Sequence, residues 1–124
     1  MRFSDLNEAE AQDVSWRYRR KTAEGQNVTV AMVEVLKGAA TAEHSHENEE
    51  VILVLKGAWQ FRMRGEEFTL RANQMLSIPP GVEHSSVALE DTLAVDVCAP
   101  RRRDWAAGED RALHYDPDDY LWAV

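Results

Sequence analysis

The chain consists largely of short strand-like runs separated by turn residues. A polar, acidic segment over residues 1–14 is followed by eight such runs as far as Cys98. The predicted strands are Trp16–Thr22, Val28–Leu36, Glu50–Leu55, Ala58–Arg64, Glu67–Leu70, Met75–Ile78, His84–Leu89 and Thr92–Cys98. Many short strands at near-regular spacing predict an all-β sandwich or barrel. We expect one domain over residues 1–124, with a barrel core over about residues 15–100, a short N-terminal helix or loose arm, and an irregular tail over residues 101–124.

Two of these runs alternate between apolar and more polar residues. One alternates Trp59, Phe61 and Met63 with polar neighbours, and the other alternates Leu93, Val95 and Val97 with Thr92, Ala94, Asp96 and Cys98. A period of two gives each strand one apolar and one more polar face. The aromatic stripe from Trp59 to Met63 could line a pocket for an aromatic ligand or form barrel core, which is the commoner role.

Charge and composition exclude several classes of partner. The net charge of −8 disfavours nucleic acid, because phosphate binding requires a basic surface. No run approaches the roughly 20 apolar residues of a membrane helix, and the N-terminus lacks the apolar stretch of a signal peptide. The single cysteine, Cys98, permits no intrachain disulfide. We therefore expect a soluble cytoplasmic protein that binds neither nucleic acid nor membrane.

Two blocks carry residues that can hold a metal ion. The first, GAATAEHSHENEEVILVLKG, contains His44, His46 and Glu50, and the second, PPGVEH, contains His84. Residues two apart on a strand face the same side, so His44, His46 and, if the strand stays regular, Glu50 could converge on one ion. His84 would join them from a neighbouring strand. The alternative is a solvated run of surface histidines and acids. Ligand type alone leaves Zn, Mn, Ni, Fe, Co and Cu open.

The two blocks resemble the paired motifs of the cupin superfamily. The first matches G-x5-H-x-H-x3-E-x6-G at every fixed position, and the second retains His84 but has Asn73 and Ala88 in place of a glycine and an asparagine. The resemblance implies a β-barrel with a six-stranded core, a small jelly roll, that holds one divalent transition metal inside one mouth. It also implies a homodimer, and we expect the aromatic tail residues Trp105, Tyr115, Tyr120 and Trp122 to pack over the barrel or a partner subunit.

A narrower resemblance covers residues 87–104, VALEDTLAVDVCAPRRRD, followed by Trp105. It is similar to small bacterial cupins that convert unsaturated uronates to open-chain ketones and to cupin-type aromatic polyketide cyclases. In the uronate group an Asp and an Arg near the metal are implicated in catalysis, and they fall on Asp96 and Arg102. This chain departs from that group by having Cys98 for a phenylalanine and Glu50 where glutamine is frequent.

Each candidate outside the metal set has a functional and a structural interpretation. Asp96 could be a general acid/base or a salt-bridged carboxylate. Arg102 could bind a substrate anion, since its planar fork suits carboxylates, or be a solvated or interface residue. Cys98 is expected to be a buried structural thiol.

Three functions remain open from the sequence. The first is a non-redox isomerase, cyclase or lyase acting on a small oxygenated substrate, with the metal as Lewis acid and Asp96 moving the proton. The second is a dioxygenase of an enolisable or aromatic substrate. The third is a non-catalytic cupin that binds a metal or ligand.

Overall fold

Nearly the whole described chain is β-structure. The computed structural model describes residues 1–115. Within them lie the strands β1 Gln12–Ser15, β2 Tyr18–Glu24, β3 Thr29–Val35, β4 Ala40–His44, β5 Glu49–Lys56, β6 Trp59–Met63, β7 Glu66–Leu70, β8 Met75–Ile78, β9 His84–Ala88, β10 Thr92–Ala99 and β11 His114–Tyr115. A short helix α1, Arg103–Ala107, and a 3₁₀ helix, Glu109–Leu113, follow β10.

The strands form two antiparallel sheets that face each other as a jelly-roll barrel. The six-stranded sheet has the order β1-β2-β3-β10-β5-β8, and the five-stranded sheet has the order β11-β4-β9-β6-β7. This confirms the predicted all-β jelly roll. All eight predicted strands are present, with ends shifted by a few residues.

Three strands were not predicted. β1 lies in the polar segment for which we expected a helix or a loose arm, and it is held by pairing with β2. β4 has the sequence ATAEH, which contains few strongly β-forming residues and owes its conformation to pairing with β9. β11 has only two residues and pairs with β4. β4 and β11 thus form by pairing with segments distant in sequence, which local sequence does not indicate, whereas β1 pairs with the neighbouring β2.

The core lies between the sheets. Val33, Ile52, Val54, Ile78 and Ala94 are almost wholly buried there. The turn before β6 needs glycine, because Gly57 has φ +105° and an added Cβ would lie 2.3 Å from the carbonyl oxygen of Asp91.

Strand β10 has its apolar face outside. Asp96 and Cys98 point inward and are buried, whereas Leu93, Val95 and Val97 lie on the outer face and are only partly buried. The alternation was visible in the sequence, but its direction was not. The polar inner face of β10 is what brings a carboxylate and a thiol into the barrel.

The first part of the tail is ordered against the barrel instead of irregular. Trp105 of α1 is 4% exposed, and the guanidinium carbons of Arg20 and Arg102 lie 4.7 and 4.6 Å from its ring centroid. The prediction that Tyr120 and Trp122 pack on the barrel or a partner falls outside the described residues.

Within residues 1–115, no helix has the length and apolar character needed to cross a membrane.

Candidate metal centre

The four predicted ligands come from different elements. His44 is the last residue of β4, His46 lies in the connection that follows, Glu50 is the second residue of β5, and His84 begins β9. The strand does not stay regular from His44 to Glu50, the condition under which strand parity would join Glu50 to the histidines, because the chain leaves one sheet after His44 and enters the other at Glu49. The crossing still brings all four side chains to one place between the sheets.

The cluster is compact. Ligand nitrogens of His44, His46 and His84 lie within 4.8 Å of one another. Glu50 Oε1 lies 3.0 Å from His46 Nε2 and 3.5 Å from His84 Nε2. Ligands held at about 2.1 Å from one metal ion lie roughly 3.0–3.4 Å from each other, so these spacings fit a shared ion.

Backbone carbonyls orient the three imidazoles. The Nδ1 atoms of His44, His46 and His84 donate to the carbonyl oxygens of Ala42, Asn48 and Val82, at 2.7, 3.0 and 2.9 Å. Each Nδ1–H bond leaves Nε2 with a lone pair directed into the cluster. Burial, with the neighbouring His84 and His46, lowers the pKa of His44, which favours the neutral ring that binds metals.

This donor set fits a transition metal. Three Nε2 lone pairs and one carboxylate that face each other repel unless a cation lies among them. Imidazole and carboxylate together suit Fe, Mn, Co, Ni, Cu and Zn, and nothing in the donors selects one of these.

Asp96 lies beside Glu50 and is the neutral partner of that pair. Burial and the negative charge of Glu50 raise the pKa of Asp96 well above its usual range. Burial opposes ionisation of Glu50 as well, but the hydrogen bonds that His46 and His84 donate when their rings carry a second proton, together with one from Asp96, hold its pKa well below the usual range. A carboxyl that keeps its proton therefore stands next to a ligand carboxylate.

Arg102 enters the same region from the start of the tail. Its Nε and Nη2 donate to Asp104 at 2.8 and 2.7 Å, and its Nη1 lies 3.8 Å from Cys98 Sγ. The side chain is 3% exposed, so Arg102 is buried and is not a solvated surface residue. Burial raises the pKa of the Cys98 thiol, which matches the expected structural role and not a nucleophile.

A small cavity with about 30 Å³ of free interior volume and an open mouth joins these groups. Its lining includes His44, Glu50 and His84 together with Asp96 and Arg102. The rest of the lining contains aromatic side chains and polar residues: Tyr18, Trp59, Phe61, Trp105, Thr41, Ser86, Asp110 and His114. Trp59 and Phe61 thus pack in the barrel core and also line the cavity. The two interpretations of the stripe from Trp59 to Met63, pocket lining and core, are therefore both correct for these residues. His46 is a member of the cluster but not of this lining.

A buried ion pair holds the tail over the cavity, and sequence reasoning missed it. Arg20 donates to both carboxylate oxygens of Asp110, at 2.6 and 2.8 Å. His114 Nε2 lies 2.9 Å from Asp110, and its Nδ1 lies 3.1 Å from Thr41 Oγ1. Burial works against ionisation of Asp110, but the bonds from Arg20 and His114 lower its pKa far below the usual range. We refer to Arg20, Asp110, His114 and Thr41 as the tail network.

Comparison with known proteins identifies the family. A profile described as the cupin domain matches residues 31–98. The chain belongs to the cupin family. This confirms the resemblance read from the two motif blocks.

Solved cupins share both the fold and, in one case, substantial sequence. KdgF from Halomonas sp. is 31% identical, with a TM-score of 0.77, over 84% of this chain and 99% of that chain. An RmlC-like cupin from Shewanella frigidimarina is 24% identical, with a TM-score of 0.78, over 85% and 96%. Ectoine synthase from P. lautus is 16% identical, with a TM-score of 0.77, over 93% and 88%, and this likeness shows the fold alone.

No curated protein matches this cupin in sequence. Membership of the cupin family, together with the cluster of His44, His46, His84 and Glu50 in this chain, indicates that the protein binds a metal ion, whose identity is undetermined.

Proposed function

We propose that this cupin is a metal-dependent enzyme that isomerises, cyclises or cleaves a small oxygenated substrate without redox chemistry. The observation that carries the proposal is the shared cavity: a metal-ligand cluster, a buried carboxyl at Asp96 and a buried cation at Arg102 line the same space. The likeness to KdgF and the resemblance of residues 87–104 to uronate-linearising cupins support it.

His44, His46, Glu50 and His84 would hold the ion. When bound, a divalent metal at this place would supply Lewis acidity that polarises a substrate carbonyl or enolate oxygen. The orientation of the three imidazoles by backbone carbonyls means that the ligands do not have to be reorganised for binding.

Asp96 would move the proton. Its carboxyl is inside the cavity, next to Glu50, and is 2% exposed, so no bulk water competes for the transferred proton. A positioned acid or base of this kind contributes roughly 10²–10⁴-fold to a rate.

Arg102 would bind an anionic group of the substrate. Asp104 occupies Nε and Nη2, which leaves Nη1 directed toward Cys98 at the cavity side. A guanidinium remains charged in any such site and pairs well with carboxylate or enolate oxygens.

Trp59, a lining residue of the cavity, favours a substrate with a second acceptor atom. Trp59 Nε1 is buried and has no hydrogen-bond partner among residues 1–115. Leaving such a donor unpaired costs about 1–3 kcal/mol, and a substrate oxygen would satisfy it. An unsaturated uronate or a hydroxylated polyketide ring has oxygens at several positions and would offer acceptors to both Arg102 and Trp59 Nε1.

The test is anaerobic turnover of a 4,5-unsaturated uronate monosaccharide, with the protein loaded in turn with Zn, Mn, Ni and Fe. We expect product without oxygen, a loss of at least about 100-fold in kcat for Asp96→Asn, and unchanged metal content in that variant. The matched control is Glu34→Gln, an exposed carboxylate of the same sheet. Strict dependence on oxygen, or full activity of Asp96→Asn, would contradict the proposal.

A dioxygenase is the second candidate. Three nitrogens and one oxygen leave one or two positions open on a metal ion, which is the arrangement that oxygen chemistry needs. Oxygen uptake by the iron-loaded protein with an enolisable substrate would favour it. Tight metal and ligand binding with no turnover in either assay would instead indicate a non-catalytic cupin.

A further inference from the structure

Two buried polar side chains hold the backbone of the segment that carries Arg102. The side-chain amide of Asn48 donates to the carbonyl oxygens of Pro100 and Arg101, the latter at 3.3 Å. On the other side of the segment, the hydroxyl oxygen of Thr29 accepts from the backbone N–H of Arg102 at 2.9 Å. Asn48 is 5% exposed and Thr29 is 1% exposed, so bulk water does not compete for these bonds. The position of Arg102 therefore depends on two side chains from other parts of the barrel.

The end of β10 explains why side chains take over from the sheet at this point. β10 pairs with β5 as far as Ala99, which lies opposite Glu49. The next residue, Pro100, has no N–H, so it cannot donate a further bond of the ladder to either neighbouring strand. Asn48 directly precedes Glu49, and its side-chain amide donates to Pro100 just beyond the last backbone pair. A primary amide carries two N–H donors, which matches the two carbonyl oxygens that Asn48 contacts.

The same residue contacts the metal-ligand cluster. The backbone carbonyl oxygen of Asn48 accepts from His46 Nδ1 at 3.0 Å, and Glu50 follows two residues later. Asn48 thus lies between two of the four ligands in sequence. Its carbonyl orients an imidazole of the cluster, and its side chain holds the segment that carries Arg102. These contacts fix that segment relative to His46.

We propose that Asn48 is a positioning residue that sets the distance between the metal ligands and the guanidinium of Arg102. This inference rests on the proposed function, in which the metal binds one oxygen of the substrate and Arg102 binds an anionic group. A substrate held at two points needs a fixed separation between them if both contacts are to form at once. The bonds from Arg102 to Asp104 cannot fix this separation, because Asp104 lies two residues further along the same segment. Asn48 is not a lining residue of the cavity, so it acts through Arg102.

Steady-state kinetics on the metal-loaded full chain test the proposal, with the 4,5-unsaturated uronate monosaccharide as substrate. We expect Asn48→Ala to raise KM at least about tenfold and to change kcat less, because a misplaced Arg102 loses a charged contact with the bound substrate. Metal content and far-UV circular dichroism should match wild type. Asn7→Ala, the same change at an exposed asparagine, is the matched control.

A second background separates positioning of Arg102 from a general structural role. When Arg102→Ala is already present, adding Asn48→Ala should change kcat/KM by less than about twofold, because the residue through which Asn48 acts is gone. An effect of Asn48→Ala that persists in full without the Arg102 side chain would overturn the proposal. So would a wild-type KM in Asn48→Ala alone.

Trypsin gives a readout that needs no substrate. Cleavage after Arg101, Arg102 or Arg103 requires the segment to detach, so Asn48→Ala should be cut there at least about tenfold faster than wild type or Asn7→Ala. Asn48→Ser, which keeps one donor and guards against a folding defect, should be cut at an intermediate rate. Cleavage of both Asn48 variants at the wild-type rate would overturn the proposal on any substrate. If wild type does not turn over the uronate but the cleavage rates are as expected, the proposed function fails while the anchoring of Arg102 by Asn48 stands.

Discussion

The two walls of the cavity are built in different ways. The ligand wall, which belongs to the metal-ligand cluster, is formed by strands and a short connection. Each histidine of the cluster donates to a backbone carbonyl two residues away in sequence. The tail wall depends on the tail network, whose central pair, Arg20 and Asp110, is 90 residues apart. In the first wall each imidazole is oriented by local chain geometry, although the ligands come from both sheets, whereas the second wall depends on an ion pair between residues far apart in sequence. Changes on the ligand wall should therefore alter metal binding with little effect on folding, and changes on the tail wall should do the reverse.

The largest expected effect is on the ligand wall. His84→Ala removes one of three imidazoles, so we expect metal affinity to fall by more than the roughly 10–100-fold that the loss of an outer-shell partner costs. Elemental analysis after metal loading and dialysis measures it, and Tm of the metal-free proteins should differ little. If His84→Ala keeps stoichiometric metal, His84 is not a metal ligand and the contrast between the two walls does not hold.

The central pair of the tail network should show the opposite pattern. Arg20→Met leaves the Asp110 carboxylate buried without its partner, which costs about 3–5 kcal/mol and lowers Tm by roughly 10–20 °C. The metal content of the folded protein should be unchanged. The double variant Arg20→Met/Asp110→Leu removes both charges and should recover much of the loss. If the double variant is as unstable as the single one, the unpaired charge is not the cause.

Acid should weaken the tail wall through Asp110. The pKa of Asp110 is lowered in the folded state, so its contribution to stability is present above the unfolded value of about 3.9 and is lost as pH falls below it. Chemical denaturation of wild type and Asp110→Asn should give a difference in unfolding free energy that is constant near neutrality and shrinks below about pH 4. A difference that is independent of pH would mean that Asp110 does not act as a carboxylate.

The smallest effect is expected at the end of the tail network. Thr41→Val keeps the shape of the side chain but removes the hydroxyl that contacts His114 Nδ1. The loss of one neutral hydrogen bond should cost about 1 kcal/mol, visible as a fall of a few degrees in Tm. A loss as large as that of Arg20→Met would show that His114, not the ion pair, anchors the tail.

The two walls also differ in how well their residues could be predicted from the sequence. His44, His46, Glu50 and His84 were named because their spacing is a local pattern, and the structure places all four together. Arg20, Asp110, His114 and Thr41 carry no such pattern, since the contact of Arg20 with Asp110 spans 90 residues and that of Thr41 with His114 spans 73. His114, which lies outside the motif blocks, is the only member of this set that the sequence could have marked as a candidate.

Strand β10 shows a different limit of sequence reasoning. Alternation located Asp96 and Cys98 on one face and Val95 and Val97 on the other. It could not say which face is inside, because hydrophobicity would have placed the valines there. The inward direction follows from neighbours on both sides, as β10 pairs with β3 and β5 in a register that buries Ala31, Ile52 and Asp96 together.

The carbonyl contacts of the three imidazoles have a consequence for how the protein would be supplied with metal. Because backbone carbonyls hold the ligand rings in place, loading should require no refolding of the chain, and unloading should leave a folded protein behind. The donor types at this site give little discrimination between first-row ions beyond their intrinsic order of affinity. Which ion a given molecule carries would then record the ions available where it was made, so that metal content measured after expression in one medium need not match that in another.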